Sequence, residues 1–121
     1  MLFRSEGLDE IAVTGMTHVA EVKGGVVERY CILPEDLGLP RHLESELAGG
    51  DATRNAAILR DVLSGQAGGP RDAVLANAAA GLVCAGAAGD LRAGVAVAAH
   101  SIDSGAAAEK LRRLISITRA T

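Results

Sequence analysis

Residues 17–32 read THVAEVKGGVVERYCI, and this stretch decides what kind of fold the chain can build. Val, Thr, Tyr and Ile are mixed with charged residues, and the run is broken once, at Gly24-Gly25. Val26, Glu28, Tyr30 and Ile32 alternate with Val27, Arg29 and Cys31, the two-residue period of an extended strand with some apolar surface on each face. Two such runs joined across a glycine pair predict a β-hairpin. Pro34 ends the second strand, because proline has no N–H to give to a ladder. Residues 34–40 then form a turn-rich connection, with Leu37 and Leu39 as its anchors into the core. A lone hairpin is marginal in water, so the pattern calls for more strands beside it.

After Gly49-Gly50 the period changes to that of helices. Asp51 is placed to cap a helix over 52–63, with Ala52, Ala56, Leu59 and Leu63 on one face. The glycines of 65–69 stop it, and Pro70 suits the first turn of a second helix running to about Ala85. That segment is apolar almost all round and is expected to be the buried central helix. Asp90 caps a third helix whose stripe is Leu91, Val95, Ala98 and Ile102. Gly105 precedes a fourth, with Ala107, Leu111, Leu114, Ile115 and Thr118 on one side, and with Glu109 placed to pair with Arg113 four residues on. The short alanine runs at 78–80 and 106–108 serve as helix-packing surface, since small side chains let helices approach closely. Strands in the first third and helices after them give an α+β order, but not a complete fold.

Composition narrows the function classes. A chain of 121 residues is within the size range of one domain. Hydrophobic residues make up 49%, much of it alanine, and Phe3 and Tyr30 are the aromatics, so the core must be built from small side chains. The formal net charge of -3, with no long run of either sign and no aromatic stacking platform, argues against a nucleic-acid partner. The longest apolar run, 73–88, is interrupted by Asn77 and too short for a membrane span, and the first seven residues lack the apolar core of a signal peptide. Cys31 and Cys84 have no ligand-spaced partner and read as two small buried hydrophobes, which suits a reducing cytoplasm.

Chemistry is concentrated in one place. Asp9 and Glu10 are adjacent carboxylates at the junction of an extended segment and a loop, and in a turn both can bend toward one hard cation; the competing reading is solvated surface charge. Gly49-Gly50 and the 65–69 glycines each precede a helix without following a strand, and read as helix punctuation rather than phosphate loops. His18, His42 and His100 fall on separate elements with no paired nucleophile and receive no catalytic role. Asn77, alone in an apolar helix, reads as a buried hydrogen-bond fixture.

Five ordered blocks carry a resemblance. They are Gly7-Leu8-Asp9-Glu10; Pro34-Glu35-Asp36-Leu37-Gly38-Leu39; Gly49-Gly50-Asp51-Ala52 followed by Asn55-Ala56-Ala57; Arg71-Asp72-Ala73-Val74-Leu75-Ala76-Asn77-Ala78-Ala79; and Ile102-Asp103-Ser104-Gly105-Ala106-Ala107. In order and spacing they resemble the anthranilate phosphoribosyltransferases. The resemblance covers Gly7 to about Leu114 and matches roughly the last third of a typical member. It implies an α/β parent fold of the phosphoribosyltransferase and nucleoside phosphorylase kind, of which this chain would be a partial C-terminal α/β domain: residues 6–40 strands and loop, 41–121 helical, a hairpin region followed by about four α-helices.

By motif position the resemblance makes Asp9 and Glu10 the metal-site residues, holding Mg2+ on phosphoribosyl pyrophosphate; no catalytic or other cofactor-binding residue is carried over. It implies transfer of the phosphoribosyl group to anthranilate in tryptophan biosynthesis, by a cytoplasmic enzyme that is a homodimer when intact. The glycine-rich pyrophosphate segment and the anthranilate-binding residues would lie upstream, so the chain alone is expected to be inactive. Residues 1–5 depart from the family pattern and are expected to be foreign to it. The alternatives are a helical self-association or interaction module, or a fragment of a related pyrimidine nucleoside phosphorylase.

Overall fold

The computed structural model describes residues 1–5 and 7–120. Glu6, where the expected strand-and-loop segment begins, lies outside them, as does Thr121. The elements are β1 (Leu2–Ser5), β2 (Thr17–Lys23), β3 (Val26–Ile32), a 3-10 turn (Pro34–Leu37), α1 (Glu44–Leu47), α2 (Ala52–Leu63), α3 (Gly69–Cys84), α4 (Leu91–Asp103) and α5 (Ala106–Arg119).

The hairpin forms as its alternation requires. β2 and β3 pair antiparallel from Thr17 opposite Ile32 to Lys23 opposite Val26. Gly24 and Gly25 turn the corner with φ of 56° and 80°, values that L side chains rarely adopt and that match a tight turn to the twist of the strands. A third strand joins it: β1 pairs antiparallel with β2, Leu2 opposite Ala20 through Ser5 opposite Thr17. Residues 1–5, set apart in the sequence, thus supply the edge of the sheet.

Alternation puts Thr17, Val19 and Ile32 on the face toward the helices, where all three are buried. Tyr30 is half-buried on that face; burial, then its hydrogen bond to the Glu21 carboxylate at 3.0 Å, pushes its phenol up to about 12. Val22, Val26 and Val27 at the hairpin tip stand largely in solvent.

The core lies between this face and the helices. Val19 and Ile32 from the sheet, Ile11 and Val13 from the loop before it, and Leu37 and Leu39 from the connection meet Leu75, Ala76 and Ala80 of α3, Ala98 and Ile102 of α4 and Val62 of α2. Complete burial of a leucine such as Leu37 or Leu75 contributes roughly 1.5–3 kcal/mol. Both expected caps are in place: Asp51 accepts from the Arg54 N–H and Asp90 from the Ala93 N–H, each at 2.8 Å.

Among the described residues there are five α-helices, in keeping with the about four expected, the addition being the short α1, where Glu46 reaches back to the Leu43 N–H at 2.6 Å. Several expectations are corrected. In α2 the buried residue is Val62, while Leu59 is 44% exposed: the neighbouring helices meet a face rotated from the expected stripe. α3 is central but not buried all round; Leu75, Ala76, Ala79 and Ala80 face inward and Val74 and Ala78 face out. Glu109 pairs with Arg112, at 3.0 Å, instead of Arg113. Cys31 and Cys84 are both exposed, because the alternation of β3 sends Cys31 to the outer face of the sheet and Cys84 ends α3 on its outward side.

Candidate functional site

Asp9 and Glu10 sit in a bend between β1 and β2, both exposed, and among the described residues neither joins an ion pair. What distinguishes them is the backbone beneath. Ser5 and Leu8 close the bend with reciprocal backbone hydrogen bonds of 3.0 Å. The Ser5 hydroxyl donates to the Glu10 carbonyl at 2.8 Å. The Ile11 N–H donates to Asn77 Oδ1 at 2.9 Å, and Asn77 Nδ2 donates back to the Ile11 carbonyl and to the Ala73 carbonyl, both at 3.0 Å. The Ala12 N–H donates to the fully buried Thr17 hydroxyl at 3.0 Å, and the Val13 carbonyl accepts from the His42 N–H at 2.9 Å.

Four consecutive residues, 10 to 13, are therefore tied in turn to β1, α3, β2 and the segment leading to α1. Ile11, Ala12 and Val13 are buried as well, so the acids ride on a loop that is packed from below and bonded from the sides.

His42 extends the framework. Its Nε2 lies 2.7 Å from Asp72 of α3 and its Nδ1 3.4 Å from Glu46 of α1, with the side chain only 10% exposed. Both ring nitrogens face carboxylates, an arrangement that the imidazolium satisfies. The hydrogen bond to Asp72 raises its pKa above the usual histidine value, with Glu46 adding to the shift and burial opposing it. Arg71 makes a two-pronged bond to Asp103 at 2.8 and 3.0 Å, joining the start of α3 to the end of α4 and holding the Asp103 carboxyl below its ordinary range.

The remaining expected features fall away from the acids. Asn55 closes over Gly50, accepting its N–H at 2.8 Å and donating to its carbonyl at 3.1 Å, so the Gly49-Gly50 pair is helix punctuation. His18 is exposed on the outer face of the sheet, its Nδ1 3.2 Å from Cys31 Sγ, and His100 is exposed on α4. An open cavity of about 300 Å³ lies beside the bend, walled by Gly7, Leu8, Ala12, Thr14, Met16 and Leu47 among others. The sequence offers no signal that ties Ser5, Thr17 or His42 to the acids, and it marks Asn77 only as a buried hydrogen-bond fixture. The one signal for it was an amide in an otherwise apolar helix, which says that a buried backbone needs it but not which.

Asp9 and Glu10 are the residues here that could hold a cation. Among the described residues no group of three or more His, Cys, Asp or Glu is placed to hold a metal by itself. Two exposed carboxylates with no counter-ion among the described residues are compatible with magnesium, which keeps several waters and takes the rest of its shell from one or two carboxylates and from substrate phosphates. The residues present fit a metal shared with a phosphorylated ligand and do not fit an all-protein cage. Among the described residues no helix is long and apolar enough to cross a membrane.

Comparison with known proteins gives a consistent picture. Residues 1–108 match the model of the glycosyl transferase family, a/b domain. An anthranilate phosphoribosyltransferase of Anaeromyxobacter sp. (strain K) is 76% identical over 113 residues, covering 93% of this chain and 34% of that protein. One from Mesorhizobium japonicum is 53% identical over the same share of each. Among solved structures, the anthranilate phosphoribosyltransferase of Thermus thermophilus superposes with a TM-score of 0.87 at 37% identity, covering 97% of this chain and 35% of the other. That of Saccharomyces cerevisiae in complex with PRPP and Mg does so with 0.84 at 29% identity, covering 95% and 33%. The chain spans about a third of the length of the relatives it matches.

Proposed function

The chain belongs to the glycosyl transferase family, a/b domain, and from this we propose that it supplies the cation-holding part of an anthranilate phosphoribosyltransferase, acting in tryptophan biosynthesis. The reaction would join the phosphoribosyl group of phosphoribosyl pyrophosphate to the amine of anthranilate, with pyrophosphate leaving. The observation that carries the reading is the pair of exposed carboxylates, with no ion pair among the described residues, on a backbone tied at residues 10 to 13.

Asp9 and Glu10 would hold Mg2+ on the pyrophosphate. When bound, the metal supplies positive charge at the oxygens of the departing group. The chain's own contribution is placement: a backbone tied at residues 10 to 13 before the substrate arrives needs less reorganisation as charge develops. Ser5 and Asn77 hold the peptide that follows Glu10, and Thr17 holds Ala12 further along the loop. The intact enzyme is read as a cytoplasmic homodimer. With about a third of a relative's length, the 121-residue chain is read as inactive alone.

A chimera tests this. The matching 113 residues of the Anaeromyxobacter sp. (strain K) protein are replaced by this chain's, and the product is expected to restore growth of a tryptophan auxotroph lacking the transferase. The same chimera with Asp9→Asn and Glu10→Gln is expected not to. Growth with both carboxylates neutralised, or product formed by the isolated 121-residue chain, overturns the reading.

A further inference from the structure

We infer that Asn77 is a positioning residue of the cation site, holding the peptide that follows Glu10 by standing in for a neighbouring strand. The inference rests on the reading of Asp9 and Glu10 as magnesium ligands. Asn77 lies in the middle of α3, 66 residues along the chain from Ile11, yet its amide pairs with both backbone groups of that residue. This is the exchange that a strand neighbour would make. A third bond, from Nδ2 to the Ala73 carbonyl one turn back, locks the side chain, because the amide cannot swing away without losing all three contacts. Three of the four hydrogen bonds open to a primary amide are used.

The consequence falls on Glu10. The Glu10 carbonyl and the Ile11 N–H are the two ends of one peptide unit. The carbonyl is held by Ser5 of β1 and the N–H by Asn77 of α3. A peptide plane bonded at both ends to two different elements fixes the point from which the Glu10 Cα and its side chain project. The Thr17 and His42 contacts act one and two residues further on, away from the acids. Asn77 touches neither carboxylate and no reacting atom, so its action is through the backbone alone.

The test uses the 121-residue chain, Mn2+ in the presence of inorganic pyrophosphate as the probe, and nuclear magnetic resonance of backbone amides. In the wild type, Mn2+ is expected to broaden the Asp9 and Glu10 signals, and the Ile11 amide to exchange slowly. Asn77→Ala is expected to speed exchange at Ile11 and weaken Mn2+ binding about tenfold, the usual scale for a residue that orients a metal ligand, while α3 and α4 signals persist. Asn77→Asp keeps the shape and the acceptor for Ile11 but sets oxygen against oxygen at the Ile11 and Ala73 carbonyls; it covers the case in which the alanine variant does not fold, and a loss of the same sign is expected.

If either variant loses Ile11 protection yet binds Mn2+ as the wild type does, the positioning role is wrong while the metal reading stands. If the wild type shows no broadening at Asp9 and Glu10, or keeps it after Asp9→Asn and Glu10→Gln, the metal reading is wrong and the inference goes with it.

Discussion

α3 and α5 are of similar length, 16 and 14 residues, and they end in opposite situations. α5 shows the cleaner division into an apolar stripe and a charged face, yet none of its residues is buried, and Leu114 and Ile117 are 57% and 63% exposed. α3 has no strong division, yet it buries Gly69, Leu75, Ala76, Ala79 and Ala80, and it carries the amide that holds the acid-bearing loop. An amphipathic stripe shows which face a helix would bury. Burial itself depends on whether another element lies against that face.

The contrast can be broken first in the core. Leu75→Ala is expected to cost about 3 kcal/mol, since it removes a fully packed side chain and leaves a cavity; urea denaturation would measure it, and a loss below about 1 kcal/mol would mean that α3 is not the packing centre. Gly94→Ala probes the α3–α4 contact, where an added Cβ would meet Ala79 Cα at 2.8 Å and its carbonyl oxygen at 2.9 Å. Alanine gains about 1 kcal/mol in helix propensity, but a methyl forced against backbone costs roughly 1–3 kcal/mol, so a net loss is expected; a rise in the melting temperature would contradict the close approach.

A smaller effect is expected from pH. Because His42 has its folded pKa raised by Asp72 and then Glu46, its contribution is complete below the unfolded pKa and fades as pH rises through the folded one. The chain should therefore lose stability on going from mildly acidic to mildly alkaline solution, and His42→Gln should flatten that slope. An unchanged slope in the variant would dissociate His42 from the effect. The smallest change is expected in α5, where Ile117→Ser should stay within about 0.5 kcal/mol in thermal melts; a larger loss, or a change in molecular mass by light scattering, would show that α5 has a partner.

Much of this molecule was legible in advance because it is local. The hairpin follows from its two-residue period and glycine turn, the starts of α2 and α4 from Asp51 and Asp90, and the two leucine anchors from their place after Pro34. Asp9 and Glu10 stood out by motif. The β1 strand was not legible, since four residues of weak pattern become a strand only when β2 offers them a ladder. Neither was the exposure of the two cysteines, nor the face that α2 buries.

The blocks of resemblance take on meaning only in three dimensions. Asn77 binds the residue after Glu10, Arg71 grips Asp103, and His42 meets Asp72, so the block at 71–79 braces both the acid loop and the end of α4.

By itself, the sequence carried the periods, caps and turns and marked the acidic pair as the candidate, because these depend on residues a few positions apart. The tertiary structure decided how the pair is held: a hydrogen bond between Asn77 and Ile11 spans 66 residues, and only the packing of α3 against the loop brings its two ends to 2.9 Å.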